Sequence, residues 1–137
     1  MDTNWRPEYS VGIDDVDDQH KHLLRLLARV GTLTSTGKGG SALSKLMAEL
    51  QDYAAFHFSS EEHLMKSVAL PTSHVQLHLA AHGQYWRSVA DFQARLQAGD
   101  ASVGLALHAF LQSWWLNHIC ELDRELGQLM LAAPSLG

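Results

Sequence analysis

A single cysteine, Cys120, in 137 residues excludes an internal disulfide framework and a cysteine-rich zinc site. Basic residues are also scarce: 10 Lys and Arg face 15 Asp and Glu, and the net charge of −5 argues against nonspecific binding to nucleic acid or an anionic membrane. No apolar run approaches the ~20 residues of a membrane span, and the opening MDTNWRPEYS is too polar for a signal peptide. These absences leave a soluble, cytoplasmic domain as the expectation. The 46% hydrophobic content is ordinary for such a domain, and a chain of this length buries roughly two thirds of its unfolded surface. What is abundant is histidine: nine residues, nearly as many as Lys and Arg together.

Turn-like clusters at TGKGGS (36–41), LPTS (70–73) and AGDAS (98–102) divide the chain, and Pro134 closes the last segment. Ser73 with Gln76 reads as a capping box, and the aspartates at 14, 15, 17 and 18 suit the positive end of a helix. Between the turns lie four stripes of helical period. They run from Val16 through His20 to Val30, from Leu43 through His57 and Glu61 to Val68, from Val75 through His78 and His82 to Leu96, and from Leu107 through His118 to Leu129. None alternates over a strand's length. Short loops joining four long helices imply an all-α, antiparallel up-down-up-down four-helix bundle. The expected organisation is one domain: an extended arm over 1–15, the bundle over 16–133 and a tail over 134–137.

Each stripe carries histidine where a bundle core takes Leu or Phe. His20, His57, His78, His82 and His118 fall on the inner seam, and Glu61 joins them. One such ring is ordinarily a hydrogen-bonded core residue. Five, spread over four helices with few other polar atoms near, point to a metal centre. His57/Glu61 and His78/His82 are i,i+4 pairs that aim two donors at one point. Asp123 stands five residues after His118, about 140° round an ideal helix, at the edge of the seam; alone it reads as a surface ion pair, and beside four donor-bearing helices as a ligand. Five imidazoles and two carboxylates exceed one tetrahedral zinc. Two six-coordinate ions with two bridging carboxylates and a bridging oxide or hydroxide would leave one position open, which suits a diatomic ligand. Spacing alone does not choose among iron, copper, nickel and zinc.

Four motifs then carry a resemblance. Trp5-R-P-E-Y-S-V-G-I-D-D-V-D-D-Q-His20, His57-F-S-S-Glu61-Glu62-H-L-Met65, His78-L-A-A-His82 followed by Tyr85, and Trp115-L-N-His118-I-C-E-L-Asp123 make the chain similar to bacterial hemerythrin domains (bacteriohemerythrins) over nearly its full length. The resemblance implies a non-haem di-iron centre that binds dioxygen. His78, His82 and His118 would hold one iron. His20 and His57 would hold the other, which keeps the open position, and Glu61 and Asp123 would bridge. The stretch between Pro71 and His78 is read as longer than in many relatives and contains His74, so that 74/78 and 78/82 are overlapping pairs; 78/82 is preferred because Tyr85 then takes the family's aromatic position. His74 is read as a solvated residue near a Ser73 cap, and His22, His63 and His108 as peripheral. One of Trp114 and Trp115 is expected to pack against the site and the other to face outward, Cys120 to be a small packed residue, and Leu24, Leu27, Leu111 and Phe56 to shield the site.

Three functions fit such a centre: oxygen or redox sensing, with an output domain following the C-terminus as partner; free-standing dioxygen carriage or storage; and di-iron oxidase or peroxidase chemistry. No Glu-x-x-His pair, the signature of carboxylate-rich di-iron oxidases, occurs in the chain, which makes an enzyme the weakest reading. APSLG (133–137), where a linker could begin, and the His74-V-Q-L-His78 spacing, similar to signalling hemerythrin domains, favour sensing over the carrier.

Overall fold

The computed structural model describes residues 4–37, 40–100 and 102–133. Four rods form the bundle. They are α1 (Asp14–Ser35), α2 (Ser41–Met65), α3 (Thr72–Gln97), and a fourth made of α4 (Val103–His118), a single π turn (Ile119–Asp123) and α5 (Arg124–Ala132). No strand occurs among the described residues. α1 packs on α2 and α4, and α3 on α2 and α4, so each rod neighbours the two adjacent to it round a square. Residues early in α1 and α3 meet residues late in α2 and in the fourth rod (His20 with His57, His78 with Asp123), which makes successive rods antiparallel. The four-helix bundle is thus as the stripes predicted.

The stripes become the core. Leu23, Leu24, Leu27 and Val30 of α1 close on Leu43, Leu46, Met47 and Leu50 of α2, Val89 of α3, and Leu107 and Leu111 of α4. Fully burying each such side chain contributes ~1.5–3 kcal/mol. Nearer the histidines the filling turns aromatic: Phe58 lies parallel to Trp115 at 5.3 Å and edge-on to Tyr85, whose hydroxyl donates to Gln51 Oε1 at 2.9 Å.

Several local expectations are corrected. The capping box does not form: Pro71 is the N-cap of α3, and its fixed φ starts the helix at Thr72 with Ser73 already inside. α1 begins at Asp14, within the stretch read as arm, and the arm contains a 3₁₀ turn at Pro7–Tyr9. Asp14, Asp15 and Asp17 do sit in the first turn of α1. Asp17 has a second task, since its Oδ1 accepts from the Val11 N–H at 2.8 Å and its Oδ2 from the Ser10 hydroxyl. Phe56, expected to shield the site, is 54% exposed, whereas Leu24, Leu27 and Leu111 are buried. Pro134 and the tail 134–137 lie outside the described residues.

The arm is fastened over α1 and α5. Trp5 receives the Lys21 ammonium over its face at 5.1 Å, and the Arg124 guanidinium donates to the Glu8 carbonyl. Val11 is buried directly on Gly127, where an added Cβ would stand 2.0 Å from the Val11 carbonyl oxygen. Because that neighbour is backbone, the arm itself would have to move. Gly127→Ala is expected to cost about 1–3 kcal/mol, as overpacking does, read as a lowered thermal melting temperature. An unchanged melting curve would show that the arm does not bear on α5.

Candidate metal centre

The seven residues singled out in the sequence converge near the end of the bundle where α1 and α3 begin and α2 ends. His20, His57, Glu61 and His78 are 0% exposed, and His82, His118 and Asp123 at most 4%. The two carboxylates lie between two sets of imidazoles. Asp123 Oδ1 is 3.0 Å from Nε2 of both His78 and His118, while its Oδ2 is 2.7 Å from His20 Nε2 and 3.6 Å from His57 Nε2. Glu61 Oε1 is 3.0 Å from His57 Nε2 and 3.4 Å from His82 Nε2, and its Oε2 is 3.5 Å from His78 Nε2. Two groups of four donors, Glu61/His78/His82/His118 and His20/His57/Glu61/Asp123, are each compact enough to surround one ion, and they share Glu61.

The π turn explains how Asp123 reaches the others. On a regular α-helix it would stand well round from His118. The turn at Ile119–Asp123 takes in one residue more than an α turn, so residues five apart come onto one face. The i,i+5 spacing was the visible trace of this.

Buried polar atoms ordinarily have partners, and most of the exceptions among the described residues belong to the expected ligands, Gln51 Nε2 and Trp115 Nε1 being the two that do not. Both Glu61 oxygens, Asp123 Oδ1 and Nε2 of His78, His82 and His118 have no hydrogen-bond partner. The other ring nitrogens explain why Nε2 faces inward. His57 Nδ1 lies 2.6 Å from Gln19 Oε1, an acceptor, with Gln19 Nε2 donating to Ser60. His82 Nδ1 lies 3.0 Å from Glu62 Oε2, also an acceptor. Each Nδ1 must therefore carry the proton, which leaves Nε2 of a neutral ring with its lone pair toward the cluster. The donor set fits a metal site, and nitrogen and carboxylate donors of this kind suit iron.

The sequence reading did not foresee these supporting residues. His74 is the clearest correction: expected in solvent, it is 2% exposed, with Nε2 3.0 Å from His78 Nδ1 and Nδ1 2.6 Å from Glu125 Oε1. Its position one turn before His78 was the available signal, and the Pro71 cap, which turns that face inward, was the missing information. Trp115 packs inside, as expected of one of the pair, but Trp114 is not turned away: half-buried, it stacks on the His118 ring at 4.5 Å. On the other side Phe58 stacks on His82 at 3.9 Å. His63 is exposed, His22 lies against Tyr53, and His108 is packed against Gly31, all outside the cluster as expected. Cys120 is partly buried against the core, also as expected.

Without a cation the cluster holds protons. Burial disfavours a charged ring, but the carboxylates outweigh it: Glu61 foremost lifts His57 to about 9, and Asp123 foremost lifts His118 to about 10. His78 is raised in the same way. Glu61 and Asp123 are held well below the usual carboxylate range, because the neighbouring rings, His57 and His118 foremost, overcome their burial. A folded-state value above the unfolded ~6.5 gives stability that is complete below 6.5 and lost as pH rises through the folded value. The metal-free protein is therefore expected to lose melting temperature between roughly pH 7 and 10, and the loaded protein to lose much less. Loading at pH 7 is expected to release at least the His57 and His118 protons, read by pH-stat titration; loading without proton release would contradict this electrostatic account.

Comparison with known proteins places this geometry in a family. The family model described as the hemerythrin HHE cation binding domain matches residues 11–130. The chain is 32% identical over 115 residues to a bacteriohemerythrin of Pseudomonas aeruginosa, covering 84% of this chain and 72% of the relative. It is 30% identical over 125 residues to one of Methylococcus capsulatus, covering 91% and 93%, and 29% identical over 116 residues to a hemerythrin-like protein of Naegleria gruberi, covering 85% and 83%. No solved structure gives a significant match. A four-helix bundle that brings five histidines and two carboxylates together in its core, and a family match over most of its length, make this chain a member of the hemerythrin family.

Proposed function

We propose that the seven buried donors hold two iron ions in a dioxygen-binding centre, and that the domain serves oxygen or redox sensing. The observation that carries this is the position of Glu61 and Asp123 between two unequal histidine sets, with every donor atom within 4.8 Å of the others in its group. His78, His82 and His118 are assigned to one iron and His20 and His57 to the other, with Glu61, Asp123 and an oxide or hydroxide as bridges. When bound, the pair of irons would supply reversible binding and reduction of dioxygen.

The chain's own residues have three tasks. Gln19 and Glu62 hold the His57 and His82 rings with Nε2 inward. Phe58 and Trp115 keep water from the donors, Trp115 being fully buried. Glu61 and Asp123 provide the negative charge that offsets the cations. The donors are at most 4% exposed, which suits a small ligand and favours a binding role over an oxidase or peroxidase. One observation favours the free-standing carrier: the Methylococcus and Clostridium acetobutylicum bacteriohemerythrins are matched over 93% and 95% of their own length, so a domain of this size makes up nearly all of those proteins. No described helix is long and apolar enough to cross a membrane. The sensing reading calls for a signalling output domain as partner.

Anaerobic loading with ferrous iron, metal counting and visible spectra through an oxygenation–deoxygenation cycle test this. The expected result is about two irons per chain and an absorption band that appears with dioxygen and disappears on its removal; uptake of one iron or none, or no response to dioxygen, would sink the reading. Rapid autoxidation would favour the sensor, and a long-lived oxygenated form the carrier. Asp123→Ala removes a bridge shared by both histidine sets and is expected to lower iron content to about one per chain or less and to abolish the reversible band.

A further inference from the structure

Beyond the seven donors, the bundle carries a hydrogen-bonded chain that leaves the cluster and ends in solvent. His78 Nδ1 is 3.0 Å from His74 Nε2, and His74 Nδ1 is 2.6 Å from Glu125 Oε1. His78 and His74 are buried, whereas the Glu125 side chain, in the first turn of α5, is 55% exposed. We propose that His74 and Glu125 are positioning residues that fix the protonation pattern of His78 and couple a surface carboxylate to one side of the metal centre. This rests on the di-iron reading above.

The direction of the chain follows from what each group can do. A carboxylate only accepts, so the His74 nitrogen facing Glu125, Nδ1, must donate. In a neutral ring the other nitrogen then has a lone pair, so His74 Nε2 accepts and His78 Nδ1 donates. That leaves His78 Nε2 bare, aimed at Asp123 and Glu61, as a cation requires. Reversed, the chain would put a hydrogen on His78 Nε2 and close that position to metal. Glu125 is the one group that excludes the reverse arrangement, and it acts through two rings without touching the cluster.

The chain also carries charge. Two N–H donors in series polarise toward Glu125, which makes His78 a more basic ligand. A more basic ligand favours the more positive oxidation state of the metal it binds. Loss of Glu125 or His74 therefore weakens metal binding and makes the centre easier to reduce. His57 and His82 reach one neutral and one charged acceptor directly; only His78 reaches its acceptor through a second histidine.

The test uses the full chain and two variants. His74→Phe keeps a ring of similar size and removes both nitrogens. Glu125→Gln changes only an exposed side chain, keeps an acceptor and removes the charge. Anaerobic ferrous-iron affinity and the midpoint potential of the loaded centre are measured for each, with thermal melting of the metal-free proteins as the control for folding. His74→Phe is expected to lower affinity about tenfold, as loss of a ligand's hydrogen-bond partner does, and Glu125→Gln by a smaller factor, with both midpoints moving positive. Wild-type loading of two irons with both variants inside twofold of it, and all three at one midpoint, overturns the relay and leaves the di-iron reading standing. A change in His74→Phe alone overturns the role of Glu125. If His74→Phe does not fold, Glu125→Gln decides alone: a weaker affinity with a positive shift supports the relay, and wild-type values overturn it. Failure of the wild type to take up iron overturns both readings.

Discussion

Everything at this end of the bundle depends on two carboxylates placed where water cannot reach them. An isolated ionised carboxylate in an apolar core costs many kcal/mol, and two facing each other cost more. Glu61 and Asp123 persist there because five imidazoles surround them, and each of those rings must in turn have its own polar demand met. The requirement spreads outward: carboxylates call for rings, rings for acceptors such as Gln19, Glu62 and His74, and the acceptors for surface groups such as Ser60 and Glu125. Protons can satisfy the inner ring of this system when no metal is present, as the raised His57 and His118 show. A cation with two positive charges does so with fewer hydrogens crowded into the same space.

The aliphatic half of the bundle and the metal half solve different problems. From Val30 and Leu43 to Leu107, Leu residues fill space without directional demands. Closer to the cluster, aromatic rings replace them, and Phe58 lies against both a donor ring and a core indole. Flat rings shield the donors while limiting their rotation, which a flexible aliphatic chain would do poorly. Trp114 adds a stacked layer over His118, half open to solvent, on a side where the sequence suggested only an outward-facing side chain.

The fold and the convergence of the seven residues were legible in the sequence because each depends on spacing along one helix or on repetition across four. Stripes of period three to four named the rods, and a histidine in every stripe named the site. What was not legible depends on contacts between helices, or on where a helix starts. His74 was read as a solvated first-turn residue beside a Ser73 cap; with Pro71 as the cap the helix starts at Thr72, and the ring is buried. Phe56 fell near the metal-bearing face by count yet is exposed, since a helix face shared between two neighbours leaves a rim. Gln19 and Glu62 each stand beside a predicted ligand in sequence, but nothing along the chain says that they serve ligands on other helices.

The π turn has a consequence for how the fourth rod can change. One extra residue taken up between Ile119 and Asp123 rotates everything after it by about 100° relative to an uninterrupted α-helix. Gly127, which seats the arm, and Glu125, which meets His74, are therefore in a different angular phase from Leu111 and Trp115. A one-residue deletion inside the turn would not be absorbed as a local defect. It would turn α5 away from the arm and from α3 together, so the length of this segment acts as a gauge shared by the metal cluster and the N-terminal clasp.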